Sequence, residues 1–545
     1  MPELFGLMQD TALTVDRFLD HGATWHGTRE IVSREGDGTI VRSDYRTLHH
    51  VARQVSDALL ATGIGRGDRV ATLGWNGARH MAAWYGTTNI GAVLHTLNPR
   101  LFPEQIAWIA AHAGDRLLLA DPACAALAAR LVRDVPTIET VVFLCARDAL
   151  PAVDFPAIAF DDWIAPHAGT AQWGGFDERL ACGLCYTSGT TGNPKGVLYS
   201  HRSNYLHTLM ALQVDALALT ERETALLVVP MYHANAWGVV YAAPAAGAKL
   251  VLPGARMDGE SLYELIEEEG VTFSTAVPTV WQGLLQYLRG TGRGFSTLHR
   301  VIIGGSAPPP ALIRAFQDDY GVEVVQGWGM TETSPLATLS APTAAVLAQP
   351  YDEQVRRKAM QGRLQIGLDV RLVDDAGRSL PHDGNTSGRL LIRGATVASG
   401  YFRDDTVVLD DEGFFDTGDV STIDDAGYMQ ITDRAKDIVK SGGEWISSIE
   451  IENIASGHPA VALAAVIGVP HPKWDERPVL LVQPAPGMSI DKAALLAFLD
   501  GRIARWWMPD DVVAVDTIPL GATGKIDKKL LRRQFADYRL PDVPE

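Results

Sequence analysis

The sequence predicts an α/β fold in which helices alternate with the strands of largely parallel sheets. Apolar residues recur with helical spacing in several segments, and each segment is followed by a short apolar run of strand length. Helices and strands in this order are typical of βαβ units, which build parallel sheets. With 545 residues the chain is too long for one core, so we expect at least two domains. The helix and strand pairs are predicted at residues 48–62 and 69–74, 103–113 and 117–120, and 261–270 and 271–276.

After about residue 365 the pattern changes to short strands separated by turns that contain aspartate and glycine, as at 375–377, 383–384 and 425–427. This predicts a β-rich subdomain. A dense charge cluster at 433–437 then precedes a compact segment with α+β character. We therefore expect a large N-terminal domain over 1–432, a hinge at 433–437 and a small mobile α+β domain, a lid, over 438–545.

The overall charge excludes some classes of partner. Asp and Glu number 65 against 47 Lys and Arg, a net charge of −18, which argues against nucleic acid and anionic membranes. The N-terminus lacks the basic and then apolar order of a signal peptide. Four cysteines do not form a disulfide framework, so we expect a cytoplasmic protein. Cys182 and Cys185 form a C-x-x-C that could be redox-active, but a buried strand over 180–186 fits the surrounding residues better.

Residues 224–248 contain no Asp, Glu, Lys or Arg and are long enough to cross a membrane. Two prolines and the polar residues His233 and Asn235 make such a span unfavourable. A buried strand, a turn with polar side chains and a buried helix fit better. The turn at 231–237 places polar groups beside Trp237 in an apolar region, which is typical of a ligand pocket.

Residues 186–197, Tyr-Thr-Ser-Gly-Thr-Thr-Gly-Asn-Pro-Lys-Gly-Val, predict a loop that binds a polyphosphate. Glycines allow close approach of the backbone, while hydroxyl groups, N–H groups and a lysine bind phosphate oxygens. The nucleotide-binding P-loop requires Gly-Lys followed by Ser or Thr, whereas Lys195 lies between Pro194 and Gly196. A flexible surface turn would be the alternative for this loop in isolation.

Two further patches follow strand-like runs. Gly304, Gly305 and Ser306 come after an apolar run at 301–303, and such small residues let a flat base lie against the backbone. The second patch, at 326–333, contains Glu332, a hard oxygen ligand suited to Mg²⁺, and Thr331, a hydroxyl suited to a phosphate. A solvated loop acid is the alternative for Glu332 taken alone.

Three patches near the C-terminus complete the set. Asp419 follows a tight turn, where a carboxylate can bind both hydroxyls of a ribose. Residues 440–445 combine a lysine, two glycines and a tryptophan, and Lys525 follows two glycines at 521 and 524. For Lys525 alone, an ordinary surface lysine would be the default interpretation.

In this order, the patches resemble those of the acyl-adenylate-forming enzymes, which include acyl-CoA synthetases, luciferases and the adenylation domains of peptide synthetases. The resemblance covers nearly the whole chain. Residues 229–238 and 440–448 look most like medium- and long-chain fatty acyl-CoA synthetases, and methylmercaptopropionate-CoA ligases share most of these features. Tyr232 and Ala234 stand where the fatty-acyl enzymes often have phenylalanine and valine, which leaves the substrate size open.

The resemblance implies an AMP-forming acyl-CoA ligase. Such an enzyme activates a carboxylic acid with ATP to acyl-AMP, releases pyrophosphate, and then transfers the acyl group to coenzyme A. A medium-chain fatty acid is the favoured substrate, with methylmercaptopropionate or an aryl acid as alternatives. The resemblance also implies Mg²⁺ as a cofactor and a homodimer.

The resemblance assigns roles residue by residue. The catalytic residues would be Lys525, His233, Glu332 and Thr187, and Mg²⁺ would be organised by Thr187 and Glu332. The ATP site would comprise Thr187, Ser188, Gly189, Thr190, Thr191, Gly192, Lys195, Gly305, Ser306, Gln326, Gly327, Trp328, Thr331, Glu332, Asp419, Arg434, Lys436, Lys440 and Lys525. The acyl pocket would include Tyr232, His233 and Trp237. The coenzyme A site would comprise Lys440, Ser441, Gly442, Gly443, Glu444 and Trp445, and Lys436 would be the hinge residue.

Functions of other classes fit the sequence less well. The sequence lacks the motifs of a generic ATPase or a kinase. A catalytically inactive binding homologue would not be expected to keep Glu332, Asp419, Arg434 and Lys525 together. A peptide-synthetase adenylation module would be followed by a carrier domain, so we expect a free-standing ligase.

Overall fold

The computed structural model describes residues 4–187, 193–434, 437–441, 444–521 and 525–541, with the backbone alone at 444 and 445. Its helices are α1 (Asp16–Trp25), α2 (Tyr45–Ala61), α3 (Ala78–Thr88), α4 (Pro103–Ala113), α5 (Ala125–Asp134), α6 (Phe160–Ile164), α7 (His201–Ala211), α8 (Val239–Ala246), α9 (Gly259–Glu269), α10 (Pro278–Thr291), α11 (Pro310–Arg314), α12 (Ala344–Leu347), α13 (Tyr351–Lys358), α14 (Ser448–Ala455), α15 (Lys492–Leu499) and α16 (Lys528–Gln534).

The strands fall into four sheets. In the first half of the chain they are β1 (Glu30–Arg34), β2 (Ile40–Asp44), β3 (Arg69–Leu73), β4 (Val93–Thr96), β5 (Leu117–Ala120), β6 (Thr140–Phe143), β7 (Ile158–Ala159), β8 (Ala181–Thr187), β9 (Lys195–Ser200), β10 (Thr224–Leu227), β11 (Lys249–Leu252) and β12 (Phe273–Ala276). In the second half they are β13 (Arg300–Ile303), β14 (Glu323–Gly329), β15 (Leu336–Leu339), β16 (Arg363–Leu364), β17 (Leu368–Val373), β18 (Gly388–Gly394), β19 (Phe415–Ile423), β20 (Met429–Arg434), β21 (Val439–Ser441), β22 (Glu444–Ile446), β23 (Val461–His471), β24 (Asp475–Pro484) and β25 (Asp511–Ala514).

Two large sheets form the body of the molecule. One has the strand order β7-β6-β5-β3-β4-β8-β9, and its strands run parallel except for the β8–β9 hairpin. The other has the order β16-β15-β14-β13-β12-β10-β11-β1-β2, with a parallel centre and antiparallel pairs at both ends. The predicted α/β fold is therefore confirmed. The segments predicted at 103–113 and 117–120 coincide with α4 and β5.

The main core lies between the two sheets and is filled by α1, α2, α3 and α8. The largest fully buried side chains include Trp84, Tyr85 and Tyr241, which pack edge to face. Their polar atoms are satisfied internally: the indole N–H of Trp84 donates to the Tyr241 hydroxyl at 2.9 Å, and the Tyr85 hydroxyl donates to the carbonyl of Val240. Buried tyrosine and tryptophan usually need such partners.

The uncharged stretch 224–248 folds as predicted, into the buried strand β10, a turn and the buried helix α8. None of the described helices is both long enough and apolar enough to cross a bilayer. Cys182 and Cys185 are free buried thiols on β8, in agreement with the buried-strand interpretation.

The chain after residue 365 forms two smaller sheets. Strands β17 to β20 make a four-stranded antiparallel sheet, the β-rich region expected from its turn residues. A five-stranded sheet of β21 to β25 follows, with α14, α15 and α16 packed around it. Asp433 and Arg434 still belong to β20, where they pair with Val420 and Asp419. The exact domain limits and the hinge stay a prediction.

Candidate active site

Three of the predicted patches lie at strand ends of the large sheets. Gly304 follows the last residue of β13, Trp328 lies near the end of the neighbouring β14, and Thr187 ends β8. In open α/β sheets, ligands bind outside the carboxyl ends of the strands, where loops place polar groups above a rigid support. Local sequence pattern therefore positions these groups, while the order of the strands determines which of them meet.

Asp419 is a buried carboxylate with two partners, an ion pair to Arg434 and a hydrogen bond from Trp328. Its Oδ1 lies 2.7 Å from the Nε of Arg434, and its Oδ2 accepts a hydrogen bond of 3.1 Å from the indole N–H of Trp328. Burial raises the pKa of the Asp419 carboxyl, while Arg434, Trp328 and Lys525 oppose that shift. Three residues that were predicted separately thus form one unit, and Lys525 is close enough to act on it electrostatically.

Glu332 is a second buried carboxylate. The hydroxyl of Tyr401 donates to its Oε1 at 2.8 Å, and its own carbonyl accepts from the backbone N–H of Ala398 at 2.7 Å. Burial raises the pKa of the Glu332 carboxyl, and the Tyr401 hydrogen bond, Arg434 and Lys195 act in the opposite direction. Glu332 is therefore an anchored acid and not a solvated loop residue.

Tyr401 was not anticipated from the sequence. Its ring lies 4.6 Å from the ammonium of Lys195, measured to the ring centroid, so it contacts both the end of the phosphate-loop hairpin and Glu332. A cation over an aromatic face is favourable by about 0.5–1 kcal/mol at an exposed position. The only signal in the sequence is an aromatic pair after Gly400, which is too common a pattern to stand out.

Thr187 and Lys195 face each other across the β8–β9 hairpin, as the final pair in its register. The hydroxyl of Thr187 approaches the carbonyl of Lys195 at 3.5 Å. Residues Ser188, Gly189, Thr190, Thr191 and Gly192, predicted to bind phosphates, lie outside the described residues. The hairpin thus brings the two flanks of the phosphate loop together beside Glu332.

Lys525 reaches this group from the C-terminal segment. A methyl group built on Gly305 would lie 3.6 Å from Cε of Lys525, and Gly305 has a φ of +83°, which favours glycine. Burial lowers the pKa of His233 to about 4, with a further contribution from the positive charge of Lys525. The ammonium of Lys525 therefore lies near Gly305, His233 and Asp419.

Trp237 lies against the same glycines. A Cβ at Gly304 would be only 2.8 Å from Cη2 of the Trp237 indole, and one at Gly305 would be 3.9 Å from its Cζ2. Glycine at 304 therefore leaves the space that the indole occupies. This close approach is one of the positions where the absence of a side chain is required.

The chain around Trp237 adopts an unusual backbone. Residues 234–237 all have positive φ, between 44° and 56°, and form a left-handed turn. For residues other than glycine, this conformation costs roughly 1–2 kcal/mol each. Asn235 is anchored by a hydrogen bond of 3.1 Å to Asn204. Such strain is concentrated at functional sites, and nothing in Ala-Asn-Ala-Trp indicates it.

A cavity of about 690 Å³ opens beside this turn. Tyr232, His233 and Trp237 line it, and that the cavity receives an acyl chain stays a prediction. The rest of the wall was not predicted. It is mostly apolar and is made by the residues that follow β10, by the end of β12 and by α10, together with arginines and an aspartate. These additional residues include Val228, Val229, Ala276, Val277, Val280, Arg100, Arg256 and Asp258.

Several predicted ATP-site residues act through their backbone or through packing. The Gln326 amide, oriented to donate its nitrogen, contacts the carbonyls of Ala359 and Met360 and is therefore directed into the interior. The carbonyl of Thr331 accepts from the Tyr199 hydroxyl at 2.8 Å. Gly327 packs against Leu336 and Ser306 is exposed.

The predicted coenzyme A residues lie elsewhere, in the C-terminal sheet. The backbone N–H of Lys440 donates to Glu476 at 3.1 Å, and the hydroxyl of Ser441 accepts from Arg477 at 3.2 Å. The backbone of β22 at Glu444 and Trp445 pairs with β21. Gly442, Gly443 and Lys436 lie outside the described residues. The structure thus brings Lys525, and not the Lys440 hairpin, to the group around Asp419.

Comparison with known proteins identifies this arrangement. The model of the family described as AMP-binding enzyme matches residues 19–402, and that of its C-terminal domain matches residues 450–525. The chain belongs to the AMP-binding enzyme family. The predicted resemblance to acyl-adenylate-forming enzymes is confirmed.

Relatives of this AMP-binding enzyme span its whole length. A 3-methylmercaptopropionyl-CoA ligase of Ruegeria pomeroyi is 46% identical, over 98% of this chain and 99% of the relative. A medium-chain-fatty-acid–CoA ligase of Ectopseudomonas oleovorans is 43% identical, over 98% of each chain. The crystal structure of the anthranilate CoA ligase AuaEII with anthranoyl-AMP has the same fold, with a TM-score of 0.85, 24% identity, and coverage of 96% of this chain and 98% of that one.

Proposed function

We propose that this AMP-binding enzyme activates a carboxylic acid, with medium-chain saturated fatty acids as the favoured class. A carboxylate oxygen attacks the α-phosphorus of ATP, the bond to pyrophosphate breaks, and acyl-AMP forms. The thiol of coenzyme A then attacks the acyl carbonyl, loses its proton to solvent and expels AMP. The family and the named relatives support an AMP-forming acyl-CoA ligase, with ATP and coenzyme A as co-substrates.

One observation carries the proposal: Lys525 lies where the acyl pocket meets the nucleotide residues. It is near His233 and Trp237 of the pocket on one side and near Asp419 on the other. Negative charge gathers at the attacking carboxylate and at the α-phosphate in the first step. A compact ammonium at their junction would neutralise this charge and hold the reactants in line.

The nucleotide would lie along the buried carboxylates. Asp419 and Arg434, fixed to each other at 2.7 Å, would bind the ribose hydroxyls, with Trp328 holding the carboxylate in place. Thr187 and Lys195 would direct the β- and γ-phosphates together with the loop between them. Positioning and charge neutralisation dominate transfers of this kind, because the protein makes little covalent contribution.

His233 would act as a neutral group. With its pKa lowered to about 4 by burial, its imidazole is uncharged at neutral pH. A neutral ring beside Lys525 can accept or donate one hydrogen bond to the substrate carboxylate without competing for the ammonium. We therefore assign His233 to orientation of the acid and not to proton transfer.

Mg²⁺ is proposed as the cofactor, and the described residues fit a metal that is carried largely by the nucleotide. No group of three or more His, Cys, Asp or Glu suited to a metal occurs in the described part of the chain. Mg²⁺ commonly takes one or two carboxylates and completes its shell with substrate phosphates and water. Glu332 and Thr187 would supply the protein ligands. When bound, the ion neutralises phosphate charge.

Methylmercaptopropionate is the second candidate acid, favoured by the relative at 46% identity. A single assay separates the candidates: pyrophosphate release with straight-chain acids, methylmercaptopropionate and aryl acids, each with and without coenzyme A and Mg²⁺. We expect activity to peak at medium chain lengths and to require both additions for acyl-CoA formation. Preference for aryl acids would reject the fatty-acyl proposal, and no pyrophosphate release with any acid would reject the ligase itself.

A moving lid follows from the two steps. Lys525 is at the site, whereas Lys440 and Ser441 are held within the C-terminal sheet, so both loops do not face one nucleotide together. We propose that the C-terminal segment rotates about Lys436 and brings residues 440–445 to coenzyme A for the second step. The domain limits 1–432, 433–437 and 438–545 express the same proposal.

A homodimer in the cytoplasm is proposed on the resemblance and the composition. Light scattering of the purified protein tests the dimer, and fractionation of the producing cells tests the location.

A further inference from the structure

The nucleotide and acyl sites do not use Lys528, although this lysine lies only three residues after Lys525. Its side chain is 11% exposed and its ammonium lies 2.7 Å from Oε1 of Glu452, which is 12% exposed. It also contacts the hydroxyl of Ser448 at 2.5 Å. Burial alone would lower the pKa of Lys528, but the carboxylates of Glu452 and Asp433 hold it above its ordinary value. Lys528 is therefore a buried, charged lysine that is paired with Glu452 and Ser448.

Asp433 joins this group from the other side of the proposed hinge. It is fully buried in β20, where the backbone pairs with Val420. Its Oδ2 accepts hydrogen bonds from the backbone N–H of Ser448 at 2.8 Å and from the Ser448 hydroxyl at 2.6 Å. The hydroxyl of Ser447 also donates to the carbonyl of Thr432.

These bonds have one property in common. Asp433 and Thr432 precede residues 435–436 and are fixed in the four-stranded sheet, whereas Ser447, Ser448 and Lys528 follow and belong to the C-terminal segment. Rotation about residue 436 would move the second set away from the first. We therefore expect the bonds only in the orientation of the C-terminal segment seen here, in which Lys525 lies beside Gly305.

The link to Lys525 runs through a short, fixed piece of chain. Asp527 caps α16 through the N–H of Leu530, and Lys528 begins that helix. Gly521 donates its N–H to the carbonyl of Lys525 at 2.7 Å, so the segment is tied at both ends. Fixing Lys528 thus fixes the backbone from which the Lys525 side chain extends.

We propose that Lys528, Ser448 and Asp433 form an orientation lock, a set of positioning residues that holds the C-terminal segment with Lys525 at the site. The lock rests on the proposed function, since it favours the first step over the second. The lock stabilises the orientation that forms acyl-AMP, and its bonds must break before the acyl group is transferred to coenzyme A. None of the three residues touches the reacting atoms in this arrangement.

The decisive variant is Asp433→Asn. It removes the charge that faces Lys528 but leaves the Lys528–Glu452 pair inside the C-terminal segment intact, so that segment should still fold. A hydrogen bond to a charged group is worth more than a neutral one. We expect acyl-AMP formation, measured as pyrophosphate release in one turnover, to fall about tenfold. Acyl transfer from supplied acyl-AMP to coenzyme A should be unchanged or faster.

Ser448→Ala and Lys528→Met provide second and third variants, with the same direction of change expected for each. Arg533→Met is the matched control, because it removes an exposed cation from the same helix. Far-ultraviolet circular dichroism and thermal melting verify that each variant is folded. A purely structural role would slow both steps alike, and that result in Asp433→Asn would overturn the lock.

Limited trypsin digestion provides a readout that needs no activity. Opening the lock should accelerate cleavage between the four-stranded sheet and the C-terminal segment about tenfold in Asp433→Asn, relative to the Arg533→Met control. An unchanged cleavage rate would contradict the lock. If the wild-type protein activates no acid, the proposed function fails, whereas the digestion still decides whether the lock exists.

Discussion

The large N-terminal region and the C-terminal segment contribute to the candidate site in opposite ways. The N-terminal region supplies a buried floor, in which Asp419 and Glu332 are enclosed and anchored by neighbours, with His233 beside them at the cavity. Among its described residues, the C-terminal segment contributes the side chain of Lys525, which precedes α16. A buried floor is rigid and sensitive to any change in charge, whereas a single contributed lysine can be withdrawn without disturbing the fold. The following predictions test that difference.

The largest expected effect is a loss of folding stability of the N-terminal region at acid pH. Burial lowers the pKa of four histidines of the N-terminal region by a large amount: to about 4 for His80, His207 and His233, and to about 3 for His201. In the unfolded chain these groups bind protons near pH 6.5, whereas in the folded protein they do not. Their stability contribution is therefore present above pH 6.5 and is lost as the pH falls towards 4.

Each unit of such a shift corresponds to about 1.4 kcal/mol, so each histidine can remove roughly 3 kcal/mol of stability at pH 4. Buried carboxyls with raised pKa, such as Asp419 and Glu332, act in the opposite direction. We expect the urea midpoint to fall steeply between pH 6.5 and 5. In His207→Gln, the amide oxygen can still accept from the N–H of Leu336. This variant should reduce by one the number of protons taken up on unfolding, and so make the free energy of unfolding less dependent on pH. Equal midpoints at pH 7 and 5 would contradict the buried, neutral histidines.

Removing the Lys525 ammonium should have the next largest effect, on the rate of acyl-AMP formation. Lys525→Ala should slow acyl-AMP formation by roughly 10²–10³-fold, because one preorganised charge contact is worth about 2.7–4 kcal/mol. Coenzyme A transfer from supplied acyl-AMP should suffer much less, and the melting temperature should not change. Equal loss in both steps would show that Lys525 does not belong to the first step alone.

Restricting the proposed rotation of the C-terminal segment should reverse that pattern. Lys436→Pro should permit acyl-AMP formation but slow transfer to coenzyme A by at least about tenfold, or roughly 1.4 kcal/mol, because proline fixes the φ angle that a hinge residue must change. Rapid-mixing measurement of each step separates the two. If both steps slow alike, residue 436 is not the hinge.

The floor was more predictable from the sequence than the contacts that complete it. Thr187, Gly305 and Trp328 lie at or beside the ends of strands, which the apolar runs of the sequence already indicate; their role in binding ATP stays a prediction. Tyr401, which holds Glu332, lies 69 residues away in the chain, and no local pattern links the two. Long-range contacts depend on sheet order, which periodicity does not determine.

The backbone conformation at 234–237 and the buried Lys528–Glu452 pair could not be predicted from the sequence either. The left-handed turn at 234–237 is maintained by tertiary anchors such as Asn204 against propensity. The Lys528–Glu452 pair reads as ordinary surface charge on two amphipathic helices, because burial of a helix face depends on what packs against it. These residues were found only when the packing was known.

The smallest effect, measured on kcat/KM per carbon of the acid, is expected for substitution of Trp237. Its indole packs against Gly304 and lines the cavity of about 690 Å³, so in the proposed function it would separate the acid from the nucleotide. Each methylene buried in an apolar pocket contributes about 0.8 kcal/mol, so kcat/KM should rise about fourfold per carbon up to the limit of the cavity. Trp237→Ala should flatten that rise and weaken the influence of ATP on acid binding. The measurement is kcat/KM over a ladder of straight-chain acids for wild type and variant, beside thermal melting. If the profile is unchanged and only the melting temperature falls, Trp237 is a core residue and the floor has no gate.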